Sequence, residues 1–292
     1  MDDLETVRLR CNAKVNLYLR VLGRRPDGYH DIETVFHSIS LHDTVTVTRM
    51  EEGFVLETDD PAIPRDESNL ALRAARSLLS GRPGGVRIRI EKRIPVSAGL
   101  GGGSADAAGS LIGVNRLYGL GLEPKTLADR AARIGSDVPF MLGGGCALGR
   151  GRGEILTPLA SLTPHTVVVV VPPLSISTPW AYETLKSGLT TRKDRGSILT
   201  DALETGAVES IKCLLFNDFE SLVFERYPQV AEIKEGLLND GAAGALMSGS
   251  GPAVFGIFDK DGDADRSTER FQDEGLSVYR SCFEESGVRI FS

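Results

Sequence analysis

Apolar and polar positions alternate with a period of two near the start of the chain. Val7, Leu9 and Cys11 interleave with charged or polar neighbours, and Val15, Leu17, Leu19 and Val21 repeat the pattern, as half-buried antiparallel strands do. Asp27-Gly28 supplies a hairpin-type turn, and Thr44–Arg49 alternates again before an acidic loop with Pro61 and Pro64. The period then lengthens. Ser68 reads as the N-cap of a helix over Asn69–Leu79 that Gly81 closes. Val86–Ile90 is a short strand running into a glycine-rich loop. Beyond it Ala108, Leu111, Ile112 and Leu117 share one side of a helix that stops near Gly119, and a further helix runs from Pro124 to Gly135.

From Asp137 the chain reads as irregular, with Gly143-Gly144-Gly145 and Gly149-Arg150-Gly151-Arg152-Gly153. The β-branched run Val167–Val171 predicts a strand buried on both faces. Helices are expected near Pro179–Lys186, Ser197–Thr205 and Gln229–Asn239, then a strand–turn–strand over Ala243–Phe258, a last helix and a last strand. Pro164 marks the expected boundary between an amino-terminal domain, 1–163, and a carboxy-terminal domain, 164–292. Strands mixed with helices, without regular βαβα alternation or internal repeats, predict an α+β architecture in two lobes.

At 292 residues the chain is long enough for two such domains. No apolar run approaches the length that spans a bilayer, and Met1-Asp2-Asp3-Leu4-Glu5 is acidic where a targeting peptide is basic. Cys11, Cys146, Cys213 and Cys282 are scattered without metal spacing. The expectation is a reduced, cytoplasmic chain with no membrane partner. With 33 basic against 40 acidic side chains the net charge is −7, which argues against nucleic acid as a partner; Arg24-Arg25 still offers a local anion patch.

Glycine is the composition's outlier, and it clusters. Gly99-Leu100-Gly101-Gly102-Gly103-Ser104 lies between a strand and an alanine-rich helix. Residues without a β-carbon let several backbone N–H groups converge on one anion, and the helix start adds its positive end. A tight strand-to-helix connection is the plainer use of such glycines, but a loop this dense favours phosphate. It is not a dinucleotide fingerprint, since Ser104 or Asp106 stands where the last glycine belongs, and no Gly-Lys dipeptide makes a P-loop.

The segment Pro95-Val96-Ser97-Ala98-Gly99-Leu100-Gly101-Gly102-Gly103-Ser104-Ala105 resembles the phosphate loop of the GHMP kinase superfamily. Further stretches narrow the resemblance to its family of 4-diphosphocytidyl-2-C-methyl-D-erythritol kinases: Ala13-Lys14-Val15-Asn16-Leu17, Arg25-Pro26-Asp27-Gly28-Tyr29-His30, Gly135-Ser136-Asp137-Val138-Pro139-Phe140 and Ser248-Gly249-Ser250-Gly251-Pro252. These run in family order over nearly the whole chain. The resemblance implies a two-lobed GHMP kinase fold, with an amino-terminal lobe like domain 2 of ribosomal protein S5 and a ferredoxin-like carboxy-terminal lobe. It also implies ATP as co-substrate across residues 95–105, Mg2+ carried with the nucleotide, and a small-molecule cytidylyl acceptor. A monomer or weak homodimer is expected.

Each candidate residue also has an ordinary reading. Asp137 could cap a short helix that Pro139 enters; the resemblance makes it the base that takes the acceptor's hydroxyl proton. A lone lysine in a strand is ordinarily a solvated face, but alternation puts Lys14 beside Asn12 and Asn16, as in a lined cleft. The resemblance sets Lys14 next to Asp137 as the second catalytic residue, with Asn16 on the substrate. Tyr29 and His30 are hairpin residues by position; by resemblance they and Tyr182 hold the cytidine end, with Trp180 competing for the stacking role. His37, His42 and His165 show no ligand spacing. No carboxylate is assigned to a metal. The rival readings are another kinase of the superfamily, acting on homoserine, mevalonate or a sugar, and a non-catalytic nucleotide-binding module.

Overall fold

The computed structural model describes residues 5–162, 165–185 and 215–291. The two alternating runs at the start form one strand, β1 (Thr6–Arg24), which pairs antiparallel with β2 (His30–Met50) from Thr6↔Thr48 to Arg24↔His30. The hairpin turns at Asp27-Gly28, where Gly28 has φ 86°. Register shifts between Asn12 and Ala13, Asn16 and Tyr18, and Val21 and Gly23 break the simple alternation. That is why Asn12 does not share the surroundings of Lys14 and Asn16, contrary to the sequence expectation. Its amide instead donates to Ser286 O at 2.8 Å.

β3 (Phe54–Thr58) runs parallel to β4 (Gly85–Glu91), and β4 lies antiparallel to β2. Between them, α1 (Leu70–Leu79) is capped by Asn69 rather than Ser68: Asn69 Oδ1 accepts the Ala71 N–H at 2.8 Å. The Ser68 side chain is spent on Asp66, 2.6 Å away. Helix α2 (Gly102–Leu117) is buried on nearly all sides. It lies so close to the hairpin that a β-carbon on Gly109 would come within 2.3 Å of Cys11 Sγ. α3 (Pro124–Ile134) and α4 (Val138–Gly143) follow. The glycine-rich stretch expected to be irregular is ordered as α4 and the pair β5 (Cys146–Arg150) and β6 (Ile155–Leu159), with glycines at the turn.

The second half begins with β7 (Thr166–Val171), whose middle valines are fully buried as expected. Then come α5 (Thr178–Thr184), β8 (Phe216–Asn217), α6 (Glu220–Arg226), α7 (Pro228–Asn239), β9 (Gly244–Met247), β10 (Val254–Phe258), α8 (Asp261–Asp273), β11 (Ser277–Glu284) and β12 (Val288–Phe291). Strands β11-β7-β10-β9 lie side by side, every pair antiparallel. With helices after the first and third strands in chain order, this is a β-α-β-β-α-β, ferredoxin-like layer. The chain end returns to the first lobe: β11 pairs with β2 at Phe283↔Ile39, and β12 pairs with β1. Pro164 and the helix expected over Ser197–Thr205 lie outside the described residues.

Candidate active site

The glycine loop is held from both lobes. Leu100 O accepts the Lys14 N–H at 3.0 Å, and Ala98 O accepts the Ala253 N–H at 3.2 Å. Gly99 O takes two donors, Lys14 Nζ and Ser248 Oγ, each at 2.9 Å. Gly99 and Gly101 have φ of 81° and 74°, a region costly for a side chain. A β-carbon on Gly99 would strike Ser248 O at 2.2 Å, and one on Gly101 would strike Met141 Cε at 2.2 Å. Gly101 precedes α2 with no side-chain cap, so the first-turn N–H groups of Gly102, Gly103 and Ser104 have no partner within the helix. An oxyanion is a fitting partner for them. Leu100, Ala98 and Ala105 are buried packing residues, Val96 is exposed, and Ser97 faces a separate surface pocket.

A cleft of about 690 Å³ opens beside this loop, lined by residues of both lobes that include Lys14, Asn16, Gly99, Gly101, Asp137 and Tyr182. Lys14 and Asp137 are brought together: Nζ lies 3.6 Å from Asp137 Oδ2. The ammonium also donates to Asn16 Oδ1 at 2.5 Å. Burial pulls Lys14 below the ordinary lysine pKa, while the Asp137 carboxylate works the other way. Asp137 stands just before α4, yet its side chain caps nothing, so the carboxylate remains open to the cleft. Asn16 Nδ2 donates to Thr34 Oγ1, which in turn donates to Tyr18 O, at 2.8 and 2.6 Å. This chain of bonds fixes the Asn16 amide with its oxygen toward the lysine.

At the other end, His30 and Tyr182 stack with ring centroids 4.9 Å apart, and Phe219 meets Tyr182 edge-on at 4.8 Å. Burial and the nearby Arg24 hold His30 below the usual histidine pKa. A neutral imidazole offers one donor and one acceptor. Tyr29 is half exposed at the rim, with the Arg152 guanidinium 4.9 Å over its ring. Trp180 lies outside the cleft: it borders the pocket with Ser97, Ser177 and Arg226, and its ring meets Tyr227.

Several contributors carried no sequence signal. Asn217 Nδ2 donates to Met247 O and Gly249 O at 2.8 and 2.7 Å, holding the late glycine loop against the site. Thr178 joins its hydroxyl across the cleft wall, at 2.8 Å, to that of Ser250, a residue of the late Ser-Gly-Ser-Gly-Pro motif already visible in the sequence. A single asparagine or threonine in ordinary sequence announces no such role. Only the paired arginines at 24 and 25 hinted at the charge supplied by Arg24, which lines the cleft.

Comparison with known proteins gives consistent matches. The family profile described as GHMP kinases N terminal domain matches residues 69–145, and that described as GHMP kinases C terminal matches 199–275. The chain is 47% identical to the 4-diphosphocytidyl-2-C-methyl-D-erythritol kinase of Gloeobacter violaceus over 261 residues, covering 87% of this chain and 86% of that protein. Identity to the enzyme of that name from Moorella thermoacetica is 46%, covering 92% and 96%. Among solved structures, one of a 4-(cytidine 5'-diphospho)-2C-methyl-D-erythritol kinase aligns with a TM-score of 0.80 at 37% identity, covering 94% and 98%. Homoserine kinase from Cytophaga hutchinsonii aligns at 0.83 but with 19% identity, a likeness of fold alone, covering 100% and 99%.

Proposed function

The chain belongs to the GHMP kinases, among the 4-diphosphocytidyl-2-C-methyl-D-erythritol kinases, and we propose on that premise how its cleft performs the transfer. The reaction moves the γ-phosphoryl group of ATP to the 2-hydroxyl of 4-diphosphocytidyl-2-C-methyl-D-erythritol, giving the 2-phosphate and ADP in the non-mevalonate route to isoprenoid precursors. The observation that carries the site assignment is the Lys14–Asp137 pair, 3.6 Å apart beside Gly99 and Gly101 in one cleft.

Phosphoryl transfer asks mainly for positioning and charge neutralisation. The amides at the start of α2 hold the phosphates. The acceptor's 2-hydroxyl lies by Asp137, which takes its proton as the new O–P bond forms. The bond from the γ-phosphorus to the bridging oxygen breaks, and that oxygen leaves with ADP. Lys14 keeps Asp137 ionised and steadies the negative charge on the transferring group, while Asn16 orients the sugar-alcohol end. Magnesium would come with the nucleotide, its charge offsetting that of the phosphates, and phosphate oxygens and water would supply most of its ligands.

The cytosine end fits the His30–Tyr182 side of the cleft. The two rings cover each other's faces, so a base stacking between them parts them. His30 then reads the base edge with its donor and acceptor nitrogens. Homoserine and mevalonate have no base to use such a platform. ADP release measured with each candidate alcohol tests the acceptor: turnover with the cytidylyl compound is expected, and turnover with homoserine or mevalonate in its place would reassign it.

A further inference from the structure

Outside the residues that line the cleft, a lysine is buried between two carboxylates for which the phosphoryl-transfer scheme has no use. Lys92 follows β4, and its ammonium donates to Asp43 Oδ2 of β2 at 2.5 Å and to Asp106 Oδ2 of α2 at 2.9 Å. None of the three side chains is more than 5% exposed. The other oxygen of Asp43 accepts the N–H groups of Arg93 and Ile94 at 2.6 and 2.9 Å, which fixes the approach to Pro95. The ammonium sits directly behind the loop: a β-carbon on Gly102 would come within 3.1 Å of Nζ. One cation therefore ties together strand β2, the 92–94 approach and the first turns of α2.

The charge arithmetic at this spot matters for an anion. Two ionised carboxylates against one ammonium would leave a net negative charge behind the amides meant for a polyphosphate. Asp106 Oδ1 has no hydrogen-bond partner, so Lys92 alone, through Oδ2, supports the charged form of this carboxyl. Burial pushes Asp106 up to about 8, with Lys92 pulling down and Asp43 pushing further up. With Asp106 neutral, Lys92 and Asp43 balance, and the field of the helix start is left unopposed.

We infer that Lys92 is a positioning residue for phosphoryl transfer: gripped by Asp43 and Asp106, it sets the first turn of α2 against the sheet and presents the Gly102–Ser104 amides to the ATP phosphates. This rests on the ATP reading of the glycine loop. Titration calorimetry with MgATP and steady-state kinetics are to be run on the full chain as wild type, Lys92→Met, Lys92→Arg and Asp106→Asn. Lys92→Met is expected to raise the Kd and KM for MgATP by about tenfold or more. Its kcat should stay within about threefold and its acceptor KM unchanged, the pattern of a lost ATP-ground-state contact. Lys92→Arg, which keeps the charge, is expected to recover part of the loss, and Asp106→Asn to bind MgATP more tightly than Lys92→Met. Should Lys92→Met fail to fold, the double variant Lys92→Met/Asp43→Asn, which removes the carboxylate left without its ammonium while an amide oxygen can still accept the Arg93 and Ile94 N–H groups, carries the measurement. A folded variant with wild-type affinity for MgATP overturns the inference, as do equal losses in both KM values and kcat. Wild-type protein that bound no MgATP would instead overturn the kinase reading.

Discussion

The Lys14 ammonium lies 3.6 Å from the Asp137 carboxylate, and neither group is free to wander. Lys14 is held by Asn16 Oδ1 and Gly99 O, the second of which belongs to the glycine loop. Asp137 is placed by the turn into α4, where Val138 and Pro139 are buried. The Gly99 carbonyl thus couples the glycine loop to the Lys14–Asp137 pair. A shift of Gly99 would move the lysine, and with it the environment of the acid.

Replacing Asp137 by Asn keeps the shape and removes the proton acceptor. Turnover is expected to fall by about 10²–10⁴-fold, with the Kd for MgATP changed only a few-fold. Rapid-quench measurement of a single turnover, alongside calorimetry, separates the two. Near wild-type chemistry in this variant would show that Asp137 only orients the alcohol.

Lys14 should titrate below an ordinary lysine, because burial disfavours its charge more than Asp137 restores it. The protonated form is the useful one, so its contribution is present at lower pH and is lost as pH rises through the lowered pKa. In Asp137→Asn the restoring charge is gone, and the midpoint should move lower still. Carbon-13 NMR of the Lys14 ε-carbon in both proteins reads this directly. A midpoint that rose, or stayed fixed, would mean the two groups do not interact.

How far the sequence could be read follows from what each residue needs in order to work. The glycines at 99 and 101 are visible because close approach restricts residue type there: no side chain fits at Gly99 against Ser248 O, whereas Lys14 and Asp137 stand out only through the motifs that carry the family resemblance. The strands β7, β9 and β10 are legible in the valine run and the strand–turn–strand pattern, while their assembly into a ferredoxin-like layer was expected from the family resemblance alone. Asn12 misled because a register shift at Asn12/Ala13 interrupts the period-two rule on which its placement depended. Asn217 was invisible because its two bonds to the late glycine loop exist only once β8 lies beside β1. The return of β11 and β12 to the first lobe is a long-range pairing that no local pattern encodes.

Tyr182 and Trp180 separate cleanly in space, and so should their variants. Tyr182 stacks on His30 inside the cleft, whereas Trp180 meets Tyr227 outside it. Loss of one stacked base is worth about 1–3 kcal/mol, so Tyr182→Leu should raise the acceptor KM roughly 5- to 150-fold while the KM for ATP stays put. Trp180→Ala should leave both within about twofold. The reverse outcome would move the cytosine to the outer pocket.

His37 makes stability depend on acidity. Its ring is fully buried beside Phe283; Nδ1 donates to Ser38 O at 2.9 Å and Nε2 accepts the Leu162 N–H at 3.0 Å. Protonating Nε2 would set a donor against a donor, and burial, only partly offset by the Ser38 carbonyl, lowers its pKa to about 4. The unfolded ring has a pKa near 6.5. Above that value neither state binds the proton and stability is whole. As pH falls from about 6.5 toward 4, the unfolded chain takes up a proton the folded one refuses, and stability is lost. The gap amounts to about 3 kcal/mol at most. Urea unfolding of wild type and His37→Gln at about pH 7 and pH 4.5 isolates it from the other titrating groups, since only the difference between the proteins is read. The wild type should lose roughly 2–3 kcal/mol more than the variant over that interval; equal losses would mean that His37 is protonated to the same extent in both states.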